Sequence, residues 1–293
     1  MPSVNVVNGK QIVVENLGPV ERTIRFICRP FAQMWHHRDL IQAILRREVA
    51  ERFKGSIAGW VWAVVAPLLA IAVYTFFFAG RLDLPKEYLV TGGPNTSYAL
   101  FILSGIVVFN FWSEMAFRAP MLLHEYVHFI KQTIFPSDML AVISTLRATI
   151  YTVISVAVLM VFQVIVSGHL PWTWLLLPLI FIPFVAFLVG MSWFLCAIGA
   201  FTRDAGYLMI NIVPLFMFAT PVFYPHDSLP WPWSLWIYAN ALTGYVEVMR
   251  DIMLVGKLPN WQVYAWTLFT SVFTFYFGYW FFDRYRNVIV DVL

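Results

Sequence analysis

Residues 174–201 read WLLLPLIFIPFVAFLVGMSWFLCAIGAF, a run of 28 positions without Asp, Glu, Lys, Arg or His. About 20 apolar residues in a helix cross a hydrocarbon core roughly 30 Å thick. The segment reads as a membrane span, and a wholly water-soluble fold is excluded. Comparable runs flank it: Ser56–Ala79, Tyr98–Phe117, Asp138–Val166, Gly206–Phe223 and Trp261–Phe282. With the quoted run they make six, so the expected architecture is an all-α polytopic membrane protein with six transmembrane helices. Pro67, Pro178, Pro183 and Pro214 fall inside these runs. Each frees a backbone carbonyl that a neighbouring helix or a cavity must satisfy.

Composition points the same way. Of the 293 residues, 60% are hydrophobic and 12% charged, and mean hydropathy is +0.73; soluble domains carry about 25% charged residues. Basic residues near membrane ends favour the cytoplasm. Nine precede the first run, two follow the last (Arg284, Arg286), and four lie in loops on the same side (Arg118, Lys131, Arg147, Arg203), together 15 of the 19. Both termini are therefore expected in the cytoplasm of a multi-pass membrane protein. The net charge of +3 is an orientation signal and does not point to nucleic acid. Cys28 and Cys196 fall in a cytoplasmic segment and a span, so a disulfide is not expected.

Residues 1–20 form an N-terminal extension with no apolar signal-peptide core, expected to be weakly structured. Residues 21–54 follow as an amphipathic cytoplasmic region. Ile24, Ile27, Phe31, Met34 and Trp35 recur at helical spacing with Arg22, Arg25, Arg29 and Arg38 among them, which fits a helix in the headgroup plane interrupted at Pro30. Residues 55–293 hold the spans. Gly55 and Gly59 open the first with a small-xxx-small pattern that permits close helix approach. Arg118–Ser137 is too polar for lipid; Pro136 breaks a helix there and Ser137 or Asp138 can cap the next. Residues 224–258 contain two apolar pieces, Trp233–Ala239 and Thr243–Val255, each too short to cross. They read as a re-entrant hairpin turning near Asn240, with Glu247 pairing to Arg250 three residues on.

Several chemistries are missing. Gly9-Lys10 is followed by Gln11 and Gly256-Lys257 by Leu258, so neither is a nucleotide-binding loop. His124 and His128 bracket Glu125 without a third ligand, and no metal site is read. Glu114 is the best intramembrane acid, with Arg118 four residues on as its partner, whereas a proton-coupled carrier buries several such groups. A membrane-bound polymer-processing enzyme would want clustered carboxylates or a large soluble loop. No catalytic residue and no cofactor is expected on this chain, which supplies a path while something else supplies the work. Aromatics are in excess, with 27 Phe, 13 Trp and 13 Tyr. Sugar rings pack their C–H faces on aromatic rings, which makes Tyr74, Phe78, Phe109, Trp112, Phe218, Phe223 and Tyr224 candidates for lining a canal.

An ordered set of short motifs runs from about Leu40 to the C-terminus. Arg46-Arg47-Glu48-Val49 and Arg52-Phe53-Lys54-Gly55-Ser56 come first, then Gly59-Trp60 and Ala66-Pro67-Leu68. Leu103-Ser104-Gly105, Asn110-Phe111-Trp112, Lys131 with Phe135-Pro136, and Arg203-Asp204 follow. Thr220-Pro221-Val222-Phe223-Tyr224 and Val290-Asp291-Val292 complete the set. It resembles the permease subunits of polysaccharide ABC exporters, the Wzm-type O-antigen permeases, whose relatives export capsule and teichoic acid. The resemblance implies a second copy of the chain and two separate ATPase subunits that hold ATP and Mg2+. It also implies a glycan cargo on undecaprenyl pyrophosphate and a place in the bacterial inner membrane. Residues 124–138 would be a coupling helix, with Lys131, Phe135, Pro136, Ser137 and Asp138 meeting the ATPase. Arg22, Arg25, Arg29 and Trp35 would belong to an interface helix. The first and fifth spans would line the canal, and Asn240, Glu247 and Arg250 would sit in its outer gate hairpin. That family often has Asn-Pro at the turn where this chain has Asn240-Ala241, which implies a different turn. Teichoic acid or capsule as cargo, and a small-molecule exporter of the same superfamily, are the competing readings.

Overall fold

A helix in lipid closes its backbone hydrogen bonds internally, and helices stand at all six places where hydropathy put a span. The computed structural model describes residues 3–7, 10–14, 18–52, 54–78, 88, 94–132, 136–228 and 230–292. The chain divides into two compact units, Met1–Gln42 and Ala43–Leu293.

The first unit opens with an antiparallel pair, β1 (Ser3–Val7) and β2 (Lys10–Val14), with Val4 opposite Val13 and Val6 opposite Gln11. This corrects the expectation of weak structure. Both strands are rich in β-branched residues, and the sequence between them is Asn-Gly, the dipeptide that favours two-residue hairpin connections. Helix α1 (Pro19–His36) begins with Pro at its first position and with Glu21 accepting from the Gly18 N–H at 3.2 Å. It runs through Pro30 without the expected interruption. Val20, Ile24, Ile27, Phe31 and Trp35 form an exposed stripe along it. Arg25 and Arg29 are also exposed, and the Arg22 side chain lies outside the described ones. Helix α2 (Arg38–Glu51) leads into the second unit.

The second unit is built on α4 (Pro94–Glu125), whose Ala99, Leu100, Phe101, Ile102, Met115 and Ala116 are wholly buried. A helix apolar on every side belongs in a core. Around it pack α3 (Trp62–Phe78), α6 (Asp138–Ser167), α7 (Leu177–Phe201) and α8 (Asp204–Ala219). Helix α11 (Trp261–Val292) packs on α7. Ser97–Glu125, Asp138–Ser167 and Trp172–Phe201 are long and apolar enough to cross a membrane, while α3 and α8 are shorter apolar helices. The 16 residues of α8 span only about 24 Å, and it ends where Thr220 turns extended ahead of Pro221. Helices α4 and α11 run on past their expected ends at Phe117 and Phe282, to Glu125 and Val292.

The Gly55–Gly59 pair does not bring helices together. Both residues have left-handed backbones (φ 84° and 51°) with open space where a Cβ would stand; they form the turn ahead of α3. Close approach occurs at other glycines. A Cβ on Gly278 would lie 1.9 Å from the Gly190 carbonyl oxygen, and one on Gly199 1.9 Å from that of Pro120. The first contact brings α7 and α11 together and the second brings α7 onto α4. Trp193 fills the groove beside the first, 5.1 Å from Phe275 and 5.2 Å from Tyr279 between ring centres. Pro183 behaves as its position demands: the carbonyl it frees, that of Leu179, accepts from the Tyr264 hydroxyl at 3.2 Å.

Gly278→Ala is expected to lower the melting temperature in detergent, with a loss of about 1–3 kcal/mol from forced separation of the helices. Gly206→Ala, where a new Cβ meets only the flexible Met121 sulfur at 3.3 Å, is expected to leave the melt nearly unchanged.

Candidate functional site

The end of the bundle that holds the C-terminus carries a knot of charge. Glu48, 6% exposed, accepts two bonds from Arg118, at 3.1 Å to each carboxylate oxygen. It also accepts from the Tyr126 hydroxyl and stands 3.5 Å from Arg147. Glu114 takes Arg52 at 3.0 Å and Arg147 at 3.1 Å, and Arg118 reaches Glu125 at 3.4 Å. Three carboxylates thus face three guanidiniums, and the knot joins α2, α4 and α6. The expected Glu114–Arg118 pair does not form, because Arg118 turns instead to the more deeply buried Glu48. Burial and the bond to Glu48 push the Tyr126 phenol above its usual range. Arg52 also stacks over Tyr151, 3.9 Å from the ring centre.

Beside the knot, α4 ends at Glu125 and a six-residue helix follows, α5 (Val127–Gln132). Ile130 anchors it, while His128, Phe129 and Lys131 face outward. Phe135 lies outside the described residues and Pro136 is half-buried. Ser137 and Asp138 are each 2% exposed, which removes them from any exposed docking face and corrects their expected place there. Ser137 precedes α6 but makes no side-chain cap bond. Asp138 instead ties α6 to its neighbours: its carboxylate lies 3.4 Å from Arg286, and its carbonyl accepts from the Trp193 indole at 2.8 Å. His124 stands 3.1 Å from the Gly199 carbonyl oxygen.

At the opposite end the expected hairpin is present. Helix α9 (Trp233–Ala239) is mostly exposed, with Ile237 buried, and α10 (Ala241–Arg250) is mostly buried. They meet at Asn240, whose side-chain oxygen accepts from the Leu242 N–H at 3.0 Å. Its amide nitrogen donates to the Thr220 hydroxyl at 2.9 Å. The absence of Pro at 241 leaves the turn intact, since Asn240 itself caps α10. Glu247 and Arg250 do not pair. Glu247 has His226 Nδ1 at 2.7 Å. Arg250, 1% exposed, donates to the Val222 carbonyl at 2.8 Å and lies 3.6 Å over the Phe101 ring. Gly105 leaves the room for that guanidinium on α4. A π-type turn, Asp251–Val255, follows, and its carbonyls are taken by side chains from outside: Thr173 on Ile252 at 2.6 Å and Gln163 on Met253 at 2.7 Å.

The canal candidates separate into two groups. Phe109 (4% exposed) and Trp112 (7%) lie inside the chain's own core, Trp112 stacking 5.4 Å from Phe216, and this burial removes them from an open path. Tyr74, Phe218 and Phe223 gather instead, with Phe223 6.1 Å from Tyr74 and 5.9 Å from Phe218, and Tyr224 donates to the Phe218 carbonyl at 2.8 Å. Phe218 is 70% exposed. Phe78 ends α3, and its side chain lies outside the described ones.

The sequence profile described as ABC-2 type transporter matches residues 39–254, from α2 through the hairpin. The chain belongs to that family. An O-antigen export system permease protein of Klebsiella pneumoniae is 24% identical over 259 residues, covering 87% of this chain and 95% of that one. A protein of the same name from Myxococcus xanthus is 22% identical over 238 residues, 80% of this chain and 87% of its own. The polysialic acid transport protein of Escherichia coli is 22% identical over 232 residues, 75% and 83%. This ABC-2 chain is therefore a transporter membrane protein, and the region matched contains both the charge knot and the hairpin.

Sequence reading missed the central role of Glu48, with Arg147 and Tyr126, and the exposed ring of Phe129. Glu48 stood in the motif Arg46-Arg47-Glu48, but its partners are 70 and 78 residues away and no local spacing points to them. Glu48→Gln is expected to cost about 3–5 kcal/mol in thermal unfolding, because it strands buried guanidiniums. Glu125→Gln, at a carboxylate 47% exposed, is expected to cost about 0–1 kcal/mol in the same measurement.

Proposed function

We propose that this ABC-2 chain is the membrane subunit of an ATP-driven exporter that moves an undecaprenyl-pyrophosphate-linked O-antigen polysaccharide across the bacterial inner membrane. The observation that carries this reading is the near end-to-end match to O-antigen export permeases, 95% of the Klebsiella protein's length. The chain crosses the membrane six times with both termini in the cytoplasm, pairs with a second copy, and binds two ATPase subunits that hold ATP and Mg2+. It has no catalytic site of its own. Glu114, the one acid that a membrane enzyme would use, is held between Arg52 and Arg147, which favours a structural role. The relative that transports polysialic acid supports a second reading, a capsular polysaccharide with the same mechanism.

The charge knot and the hairpin then have separate tasks. Helix α5 beside the knot offers Phe129 and Lys131 to the ATPase, with Phe135 and Pro136 completing that segment, while Asp138 just after it is held to Arg286 and Trp193. The exposed apolar stripe of α1 lies in the cytoplasmic headgroup layer with Arg25 and Arg29 at the phosphates; Arg22 and Trp35 belong to the same interface helix. Tyr74, Phe78, Phe218, Phe223 and Tyr224 line the canal at its outer end, where rings let a glycan slide without deep wells. Asn240 is the pivot of the gate hairpin, Arg250 its anchor, and Glu247 belongs to its inner wall.

The first test is co-purification with the ATPase encoded beside the gene, followed by ATP turnover in lipid nanodiscs with and without lipid-linked glycan. A two-plus-two complex whose turnover responds to glycan supports the reading; a chain that purifies alone overturns it. Phe129→Asp is expected to lose the ATPase on co-purification while inserting normally, and wild-type recovery of the complex would remove α5 from the contact. Tyr74→Ala with Phe218→Ala is expected to lower polymer export in cells while ATPase binding is retained; unchanged export would return those rings to packing.

A further inference from the structure

A cavity of about 480 Å3 opens behind the hairpin, between α10, the turn at His226 and the first turns of α11. That is within the roughly 300–1,000 Å3 typical of small-molecule pockets. It is distinct from the aromatic group at Tyr74, none of whose rings lines it among the described residues. We propose that this cavity binds a neutral sugar ring, and, resting on the exporter reading for its source, that the ring is a unit of the exported polysaccharide held on the far side of the membrane.

The wall carries the argument. Glu247 and Asp251 supply acceptors, Asn260 and Gln262 supply amides, and Tyr238 and Trp266 supply rings. Each carboxylate already faces a basic group: His226 Nδ1 lies 2.7 Å from Glu247, and Lys257 Nζ 3.3 Å from Asp251. Lys257 offsets Asp251, and the His226 ring takes one direction of Glu247, so the wall presents acceptors already partly engaged and not a bare acidic cluster. Interleaved donors and acceptors beside aromatic faces suit a ligand that carries many hydroxyls on an apolar C–H skeleton.

Thr243 gives an independent sign of a missing partner. It lines the cavity, is 4% exposed, and its hydroxyl makes no hydrogen bond among the described residues. Helical threonines ordinarily return the hydroxyl to a carbonyl one turn back, as Thr145, Thr149 and Thr152 do here at 2.8–2.9 Å. Thr243 is the third residue of α10, just past the Asn240 turn, and leaves its hydroxyl unused. A buried polar group left unpaired is unfavourable, and a ligand hydroxyl would complete it. The exposed Gln262 amide at the rim is available to a ligand, its backbone N–H being taken by Asn260 Oδ1 at 2.9 Å.

The test uses the full chain with its ATPase in nanodiscs and saturation-transfer NMR with methyl α-D-glucopyranoside, methyl α-D-mannopyranoside and methyl α-D-galactopyranoside as probes. Transfer to the ring protons of at least one glycoside is expected. Thr243→Val and Gln262→Ala should each weaken it by roughly three- to tenfold, the effect of one hydrogen bond. Gln262→Ala, at an exposed side chain, should keep the wild-type melting temperature. No transfer from any glycoside, equal transfer in both variants, or competition by glycerophosphoethanolamine alone, which would mark a lipid-headgroup site, overturns the proposal. Should the ATPase associate and no glycoside bind, the cavity assignment fails and the exporter reading stands. Should glycosides bind while no ATPase associates, the exporter reading fails and the sugar site stands without its assigned source.

Discussion

A single buried carboxylate, that of Glu48, sets the geometry of one end of this protein. It leaves water almost completely, and the desolvation of such a charge is offset only by well-placed partners. Arg118 meets it with both ends of its guanidinium fork, an arrangement that fixes angle as well as distance. Tyr126 and Arg147 then take the remaining directions. Because these groups come from three helices, α2, α4 and α6 cannot slide past one another without exposing an unpaired charge to an apolar surround. The exposed face of α5 starts directly after Tyr126, so the knot gives that face a rigid base.

The hairpin end is organised by the opposite device. Arg250 is buried more deeply than Glu48, yet the groups that receive it are carbonyl oxygens and the Phe101 ring. Partial charges on Val222 and the π-face of Phe101 replace a counter-ion, and the stretch carrying them, Thr220–Val222, is also gripped by Asn240. Three positions far apart in sequence thereby define one seat for α10. Helix α9 keeps only Ile237 in the core and is the less constrained arm of the pair.

How far the residues alone reached follows from the range of the forces involved. Membrane helices declared themselves through composition, because lipid tests every residue of a span; the six runs, the hairpin and its turn at Asn240 were legible for that reason. The carbonyl freed by Pro183 was legible as a demand, though only the structure named Tyr264 as the group that meets it. Pairings were not legible. Glu114 with Arg118, and Glu247 with Arg250, are sound neighbours on a helix surface, but partners from other helices outcompete them once the bundle closes. Glycine spacing misled as well: Gly55 and Gly59 match a packing pattern but serve a turn, whereas the close helix contacts fall at Gly190, Gly199 and Gly278. The paired strands at Ser3–Val14 were overlooked because the reading there looked for apolar length and passed over alternation around Asn-Gly.

The contact between Gly190 and Gly278 also bears on how such a chain can change over time. Most tight spots in a core involve two side chains, so an enlargement on one side can be accommodated by a reduction on the other. Here a methyl group at 278 would strike the backbone of residue 190, and one at 190 the backbone of residues 274 and 275. Neither position has anything left to give up, so no compensating substitution exists at the partner. Sequence drift along α7 and α11 must route around these two sites. The seam they form is a fixed point of the bundle.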